Sequence, residues 1–228
     1  MQRSSVKYLL VLAAASGALL SACGNHVAAS SADGVSEGVK AKISEAFPNT
    51  KFNRIVYDDE TLIDTNEYAQ SILECLFGLD ITIVCEPGRF LVGNSGVFVS
   101  KVLYEKVNGS KRFVIVDGAM NDLIRPALYD AYHKVEVLND NKELSDCNLV
   151  GPVCESGDFF AKNIDLPQTE HNDLVAIYSA GAYCFTMASN YNTRNKVAEI
   201  AVENGQNRLI RRRETFEDLI AHEEEFLK

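Results

Sequence analysis

The sequence is short of positive charge. Its 228 residues carry 22 Lys and Arg against 32 Asp and Glu, a formal net charge of -10. A phosphate backbone needs a basic face, so nucleic acid is excluded as the main partner. The single basic cluster, Arg211-Arg212-Arg213, reads as a solvated strand end before an acidic helix. The six cysteines (Cys23, Cys75, Cys85, Cys147, Cys154, Cys184) form no C-x-x-C pair and no zinc-ligand spacing. The four histidines (His26, His133, His171, His222) are scattered and make no H-E-x-x-H. No metal site is therefore expected. Internal repeats are absent, as is any low-complexity tract beyond one linker.

What is present is globular in character. Hydrophobic residues make up 46%, aromatics 9% and charged residues 24%, enough for a packed core in one large or two small domains. Residues 1–23 read as an export signal. Arg3 and Lys7 give a basic start, and 8–20 form an apolar, alanine-rich stretch too short to span a bilayer comfortably. It ends in Leu20-Ser21-Ala22-Cys23, which resembles the lipobox of bacterial lipoproteins, where Cys23 would become the acylated N-terminus. Residues 24–38, rich in Ala, Ser and Gly, read as a linker. Val39, Ile43 and Phe47 then fall at helical spacing, Pro48-Asn49 stops that helix, and 52–57 reads as a strand. This small piece resembles the N-terminal dimerisation segment of periplasmic disulfide isomerases. It lacks their C-x-x-C, so no redox activity carries over.

The texture changes near 58–61. Residues 66–76 suit a helix with Ile72, Leu73 and Leu76 apolar. Residues 80–85 form a continuous apolar strand, of the kind buried on both faces in parallel α/β sheets. It ends in Glu86-Pro87-Gly88-Arg89, and polar residues just past such a strand are where α/β barrels place their chemistry. From Gly96 onward the chain reads mostly β. Residues 97–106 alternate, Asn108-Gly109 is a hairpin turn, and 112–117 is apolar. Another strand covers 174–179, a second hairpin covers 197–211 around Asn204-Gly205, and a helix covers 215–227 with Thr215 and Asp218 as an N-cap pair.

Gly151-Pro152-Val153-Cys154-Glu155-Ser156-Gly157-Asp158 fits neither a strand nor a helix. Its glycines and proline mark a loop of special backbone angles, and its thiol beside a carboxylate can handle a proton. Taken singly, Cys154 reads as an inert buried thiol, Arg125 as a surface charge, and Tyr183 and Tyr191 as core aromatics. Order changes that reading. Glu86-Pro87-Gly88-Arg89, Arg125-Pro126-Ala127-Leu128-Tyr129, the Cys154 loop, Gly181-Ala182-Tyr183 and Ser189-Asn190-Tyr191-Asn192 follow one another along the chain. With Val116-Asp117-Gly118-Ala119-Met120-Asn121-Asp122 and Leu209-Ile210-Arg211-Arg212-Arg213-Glu214-Thr215, they resemble the C-terminal part of the diaminopimelate decarboxylase family over residues 61–228.

The resemblance implies a pyridoxal 5'-phosphate enzyme converting meso-2,6-diaminopimelate to L-lysine and CO2. It implies a mainly β fold with some α: the C-terminal β-sandwich or barrel of a fold-type III decarboxylase over 96–228, and a remnant of its α/β barrel over 61–95. The signal at 1–23 and a linker with the helix-strand piece at 24–60 precede these. Glu86, Pro87, Gly88 and Arg89 would border the cofactor phosphate, with Arg89 also meeting substrate. Arg125 and Tyr129 would hold a substrate carboxylate, Cys154 would donate the proton, Glu155 would bind the substrate, and Tyr183 would lie against cofactor and substrate. The family shares its active sites across a homodimer.

The chain departs from the family in one respect. The Schiff-base lysine, a histidine motif and a glycine-rich phosphate loop stand earlier in the family's barrel, and nothing here matches them; Lys40, Lys42 and Lys51 lie in the unrelated N-terminal piece. A truncated or fused form, inactive alone, is the expectation, and the join near 58–61 is equally readable as an artefact of gene assembly. Two alternatives are a membrane-anchored lipoprotein with a non-catalytic binding domain, and an ornithine- or arginine-type decarboxylase fragment. The decarboxylase part implies a cytoplasmic protein, and the lipobox a periplasmic, membrane-anchored one. The remnant strand, without parallel neighbours, is expected to be poorly buried.

Overall fold

The structure, a computed structural model, describes residues 9–12, 28–29, 64–86, 88–138, 143–203 and 206–226. The helix and strand expected over 39–57, and the lipobox Cys23, lie outside the described residues. The chain divides into two compact units, Met1–Gly93 and Asn94–Lys228.

The first unit is small. Helix α1, Thr65–Cys75, starts where Asp64 caps it: the carboxylate accepts the amides of Asn66 at 2.7 Å and Glu67 at 3.3 Å. Ile72 and Leu76 are buried, whereas Leu73 is exposed, so the apolar face is narrow. Strands β1 (Leu9–Leu12), β2 (Ala28–Ala29) and β3 (Thr82–Cys85) form a sheet in the order β2-β1-β3. The expected strand at 80–85 is thus shorter. Among the described residues it has one parallel neighbour, since Leu9 pairs with Thr82 and Leu12 with Cys85. It is not buried on both faces: three of its four residues are exposed. Four residues beside a single four-residue neighbour cannot recruit the covering layers that a full parallel sheet has. Helix α2 (Gly88–Val92) follows directly.

The second unit is a curled sheet. Its strands are β4 (Phe98–Asn108), β5 (Lys111–Val116), β6 (Val135–Val137), β7 (Leu144–Val150), β8 (Phe159–Pro167) and β9 (Leu174–Ile177). Their order is β6-β9-β4-β5-β7-β8. The outermost strands β6 and β8 approach one another, so the sheet forms a nearly closed barrel, with few short helices outside it. Alternation in β4 places Phe98, Ser100 and Val102 inside; a register shift between Val102 and Tyr104 then turns the strand's far end out to solvent. Val114, Val116, Leu149, Phe160, Val175 and Ile177 complete the core, and the rings of Phe98 and Phe160 meet at 5.8 Å.

Gly109 closes the β4–β5 hairpin at φ 61°. Strands β10 (Glu199–Glu203) and β11 (Gln206–Arg211) form a separate two-stranded hairpin. Arg211 ends it against Glu199 at 2.6 Å, and Arg212 pairs with Asp218. Two short α-helices and three 3₁₀ turns lie among the described residues of the unit. Helix α3 (Arg125–Tyr129) has Pro126 in its first turn, and helix α4 (Phe216–Ile220) has the amide of Thr215 donating to Asp218 at 2.8 Å.

Candidate active site

The Cys154 loop is the tip of the β7–β8 hairpin, and one carboxylate shapes it. Asp158 is buried. Its Oδ1 accepts the Met120 amide at 2.7 Å and its Oδ2 accepts the Val153 amide at 2.6 Å. Burial pushes its carboxyl above the usual range, and those two amides pull it partly back. Gly151 is required here, because a Cβ at that position would collide with the Asp158 carboxylate. The Gly151 amide donates to the Asp158 carbonyl at 3.1 Å and the Asp158 amide to the Glu155 carbonyl at 3.0 Å, which closes the loop on itself. Cys154 and Glu155 are left exposed at its outer edge.

A second loop, 189–194, meets the first. The Tyr191 hydroxyl donates to Glu155 Oε2 at 3.2 Å. That contact and the charge of Glu155, with a smaller contribution from Cys154, hold the Tyr191 phenol above its ordinary value. Both loops rest on the turn 117–122. Arg194 donates from Nε to Asn121 Oδ1 at 2.9 Å and from Nη2 to the Asp117 carbonyl at 2.5 Å. The Ser189 amide donates to the Asn121 carbonyl at 2.9 Å, and Asn121 Nδ2 returns a bond to the Ser189 carbonyl at 3.1 Å. Asp122, buried, accepts the Ala119 amide at 3.0 Å and lies 3.8 Å from Arg194; burial raises its carboxyl.

The turn is itself fixed to the core. Ser100 Oγ donates to Asp117 at 2.8 Å and accepts the Gly118 amide at 2.7 Å. Immediately after the turn, α3 buries Arg125, whose guanidinium lies 5.9 Å from the Tyr183 ring centroid. Tyr183 adopts φ 61°, an uncommon backbone for a bulky residue. Cys184 donates to the Asp122 carbonyl at 3.3 Å, and burial pushes its thiol up to about 12.

The sequence-predicted residues are thus partly assembled. Cys154, Glu155, Arg125 and Tyr183 all belong to segments that meet at the turn 117–122, and Tyr191 joins them. Tyr129 ends α3 with its side chain half exposed. In the other unit, Glu86 is exposed, Gly88 opens α2, Arg89 is buried, and Pro87 lies outside the described residues. The readings of single residues are reversed: Cys154 is exposed, Arg125 is 6% exposed, and Tyr191 is 45% exposed. Sequence reasoning missed Asp158, Asn121 and Arg194 as organisers. The available signal was Gly151 and Asp158 bracketing one loop. Among the described residues, no group of three or more His, Cys, Asp or Glu is placed to hold a metal ion.

Known proteins resemble this chain in sequence and fold. The family described as the pyridoxal-dependent decarboxylase, C-terminal sheet domain, matches residues 25–181. Diaminopimelate decarboxylase of Campylobacter jejuni is 62% identical over 165 residues, which are 72% of this chain and 41% of that protein. Diaminopimelate decarboxylase of Helicobacter pylori, solved in complex with L-lysine, superposes with TM-score 0.70 at 45% identity, covering 83% of this chain and 50% of that one. The M. jannaschii diaminopimelate decarboxylase, also with L-lysine, gives TM-score 0.68 at 33% identity over 73% of this chain and 39% of that one. The chain spans about two fifths of the length of the curated relatives it matches.

Proposed function

We propose, from the premise that this chain belongs to the pyridoxal-dependent decarboxylases through their C-terminal sheet domain, that it forms the substrate-facing side of a diaminopimelate decarboxylase active site. The reaction would take meso-2,6-diaminopimelate to L-lysine and CO2. The observation that carries this reading is the convergence of the Cys154 loop, Tyr191 and the Arg125–Tyr183 pair on one turn.

The residues fit pyridoxal phosphate and a dicarboxylic diamino acid. In the first unit, Glu86 is exposed and a Cβ on Gly88 would meet open space; in the second, the half-buried Tyr183 offers a ring. Pyridoxal phosphate, when bound, accepts the electron pair that departing CO2 leaves behind. Arg125 would supply the planar fork that holds a carboxylate in two bonds, with Tyr129 four residues further along the chain, and Arg89 is the other guanidinium that the family resemblance assigns to substrate. The Glu155 carboxylate matches the distal ammonium of the substrate. The Cys154 thiol sits at the exposed edge of its loop, where it can deliver a proton to the α-carbon. Residues 61–95 serve as the remnant of the α/β barrel, and a homodimer shares the sites. The sequence has no match to the family's Schiff-base lysine, so the chain turns nothing over by itself.

A restored full-length chain tests this reading. The residues of the Campylobacter jejuni relative that precede its match are joined to residue 61 onward, and CO2 release is measured with meso-diaminopimelate, L-ornithine and L-arginine. Diaminopimelate is expected to react fastest, and Cys154→Ala to lower kcat by about 10²–10⁴, the range of general acid catalysis. Faster release from ornithine or arginine would assign the chain to that branch of the decarboxylases instead.

A second reading is favoured by Leu20-Ser21-Ala22-Cys23: a lipoprotein anchored through Cys23 and carrying a non-catalytic binding domain, exported where the biosynthetic reading is cytoplasmic. Acylation at Cys23 would remove the Leu9–Leu12 strand that pairs with β3, so that pairing counts against this reading. Among the described residues, no helix is long and apolar enough to cross a membrane. Labelled palmitate at Cys23 in expressing cells would establish the anchored form, and its absence would remove it.

A further inference from the structure

We propose that the turn 117–122 is a positioning device that sets the two loops of the site in one register, with Asn121, Asp158 and Arg194 as its positioning residues. Two exposed side chains on separate loops, Tyr191 and Glu155, meet at 3.2 Å. Solvent competes for both groups, so that contact cannot by itself hold the loops together. The attachments of each loop to the turn can. Asp158 ties the Cys154 loop to Met120, and Arg194 with Asn121 ties the Tyr191 loop to the same turn one residue further on. Each attachment is charge-assisted or buried, the kind that is costly to break.

The platform is rigid for an independent reason. Asp117 and Gly118 are bonded to Ser100 on β4, and a Cβ on Gly118 would lie 2.7 Å from the Phe98 ring. Backbone angles of the second loop also need outside support: Asn192 and Thr193 lie at φ 52° and 58°. None of the three positioning side chains need touch substrate. Their effect passes through Glu155, Cys154 and Tyr191. The inference rests on the decarboxylase reading only for what that trio faces; the register itself is a property of this chain.

The test uses the chain as it stands. Tyrosine is labelled with ¹³C at the ring, the Tyr191 resonance is assigned from Tyr191→Phe, and its titration is followed by NMR. Protection of Cys147 from alkylation, expected because that thiol is fully buried, reports an intact fold in every variant. In the native chain Tyr191 should titrate above 10.0, its ordinary value, and Glu155→Gln should remove the displacement. Arg194→Met, a change at a one-third exposed side chain, should remove it equally, although Arg194 bonds neither Glu155 nor the Tyr191 hydroxyl. Arg194→Lys should not restore it, since one ammonium cannot span Asn121 and Asp117. Asp158→Asn provides the same readout from the other loop.

A folded Arg194→Met and a folded Asp158→Asn that both keep Tyr191 displaced would overturn the proposal. So would a native Tyr191 indifferent to Glu155→Gln. Failure of the restored full-length chain to decarboxylate diaminopimelate would remove the functional reading while leaving these titrations, and the positioning role, in place.

Discussion

A methyl group on Gly151 would occupy space taken by the Asp158 carboxylate, so the loop's glycine and its acid are a matched pair. Gly151→Ala should destabilise the chain by about 1–3 kcal/mol, the range for forcing apart a buried hydrogen-bonded group. Urea denaturation measures the loss, and faster hydrogen exchange at the Met120 and Val153 amides locates it. Little of this was legible in the sequence. Single-residue reasoning uses average burial, and at this site Cys154, Arg125 and Tyr191 all depart from the average for their type. The two inner thiols give a prediction that depends on pH. Burial lifts Cys147 to about 11 and Cys184 to about 12, both above the ordinary 9.0. Raised values mean that their contribution to stability is fully present below about pH 9 and is lost as the pH rises toward 11–12. Cys184→Ala should therefore flatten the fall in unfolding free energy above pH 9, measured by urea titration at stepped pH.

Among the elements, strands with clear punctuation were readable and strands without it were not. The Asn108-Gly109 turn and the alternation of β4 announce the first hairpin, and Asn204-Gly205 announces the last. Strands β7 and β8 went unread. The partner of Leu149 shifts register twice near the loop, and Asn163 stands at φ 52° within β8, so neither strand keeps a clean period of two. The sequence predicts one helix over 215–227, but among the described residues the α-helix covers Phe216–Ile220, with a 3₁₀ turn at Glu224–Phe226. Glu223, Glu224 and Glu225 place negative charge where a longer helix would have its negative end. At the far end of β7 and β8, the Arg112 side chain adds to the β5–β7 ladder. It donates to the carbonyls of Leu166 at 3.0 Å and Pro167 at 2.6 Å and to Ser145 Oγ at 3.0 Å, and is paired with Glu105. Arg112→Met keeps the stem and removes the donors. It should cost about 1–3 kcal/mol in thermal or urea unfolding, because two partly buried carbonyls lose a donor and Glu105 is left with Thr169 alone of its side-chain partners.

At the scale of the whole molecule, the order of motifs carried the family and the fold class, whereas the contacts that build the site were invisible before folding. Arg194 and Asn121 lie 73 positions apart in the chain, too far for any local pattern to join them. On the proposed absence of a Schiff-base lysine, the chain is expected to hold no cofactor by a covalent bond. Mixed with pyridoxal phosphate and reduced with borohydride, it should yield no lysine adduct by mass spectrometry and no lysine from diaminopimelate. An adduct accompanied by turnover would mean that one of its own lysines serves as anchor. One feature of the sheet bears on how such a site comes into being. The strands β5 and β7 run parallel, while the other pairs in that sheet are antiparallel. A parallel pair cannot be joined by a tight turn, and the connection between Val116 and Leu144 must be laid across the barrel before the two strands can meet. That connection contains the turn 117–122 and α3. Closing it costs chain entropy before contacts repay it, so this closure is expected to be the slow step of folding. Refolding of Val114→Ala, at the β5–β7 seam, should slow in stopped-flow experiments more than its unfolding accelerates. The barrel and the reactive loops would then mature together, in a single late event.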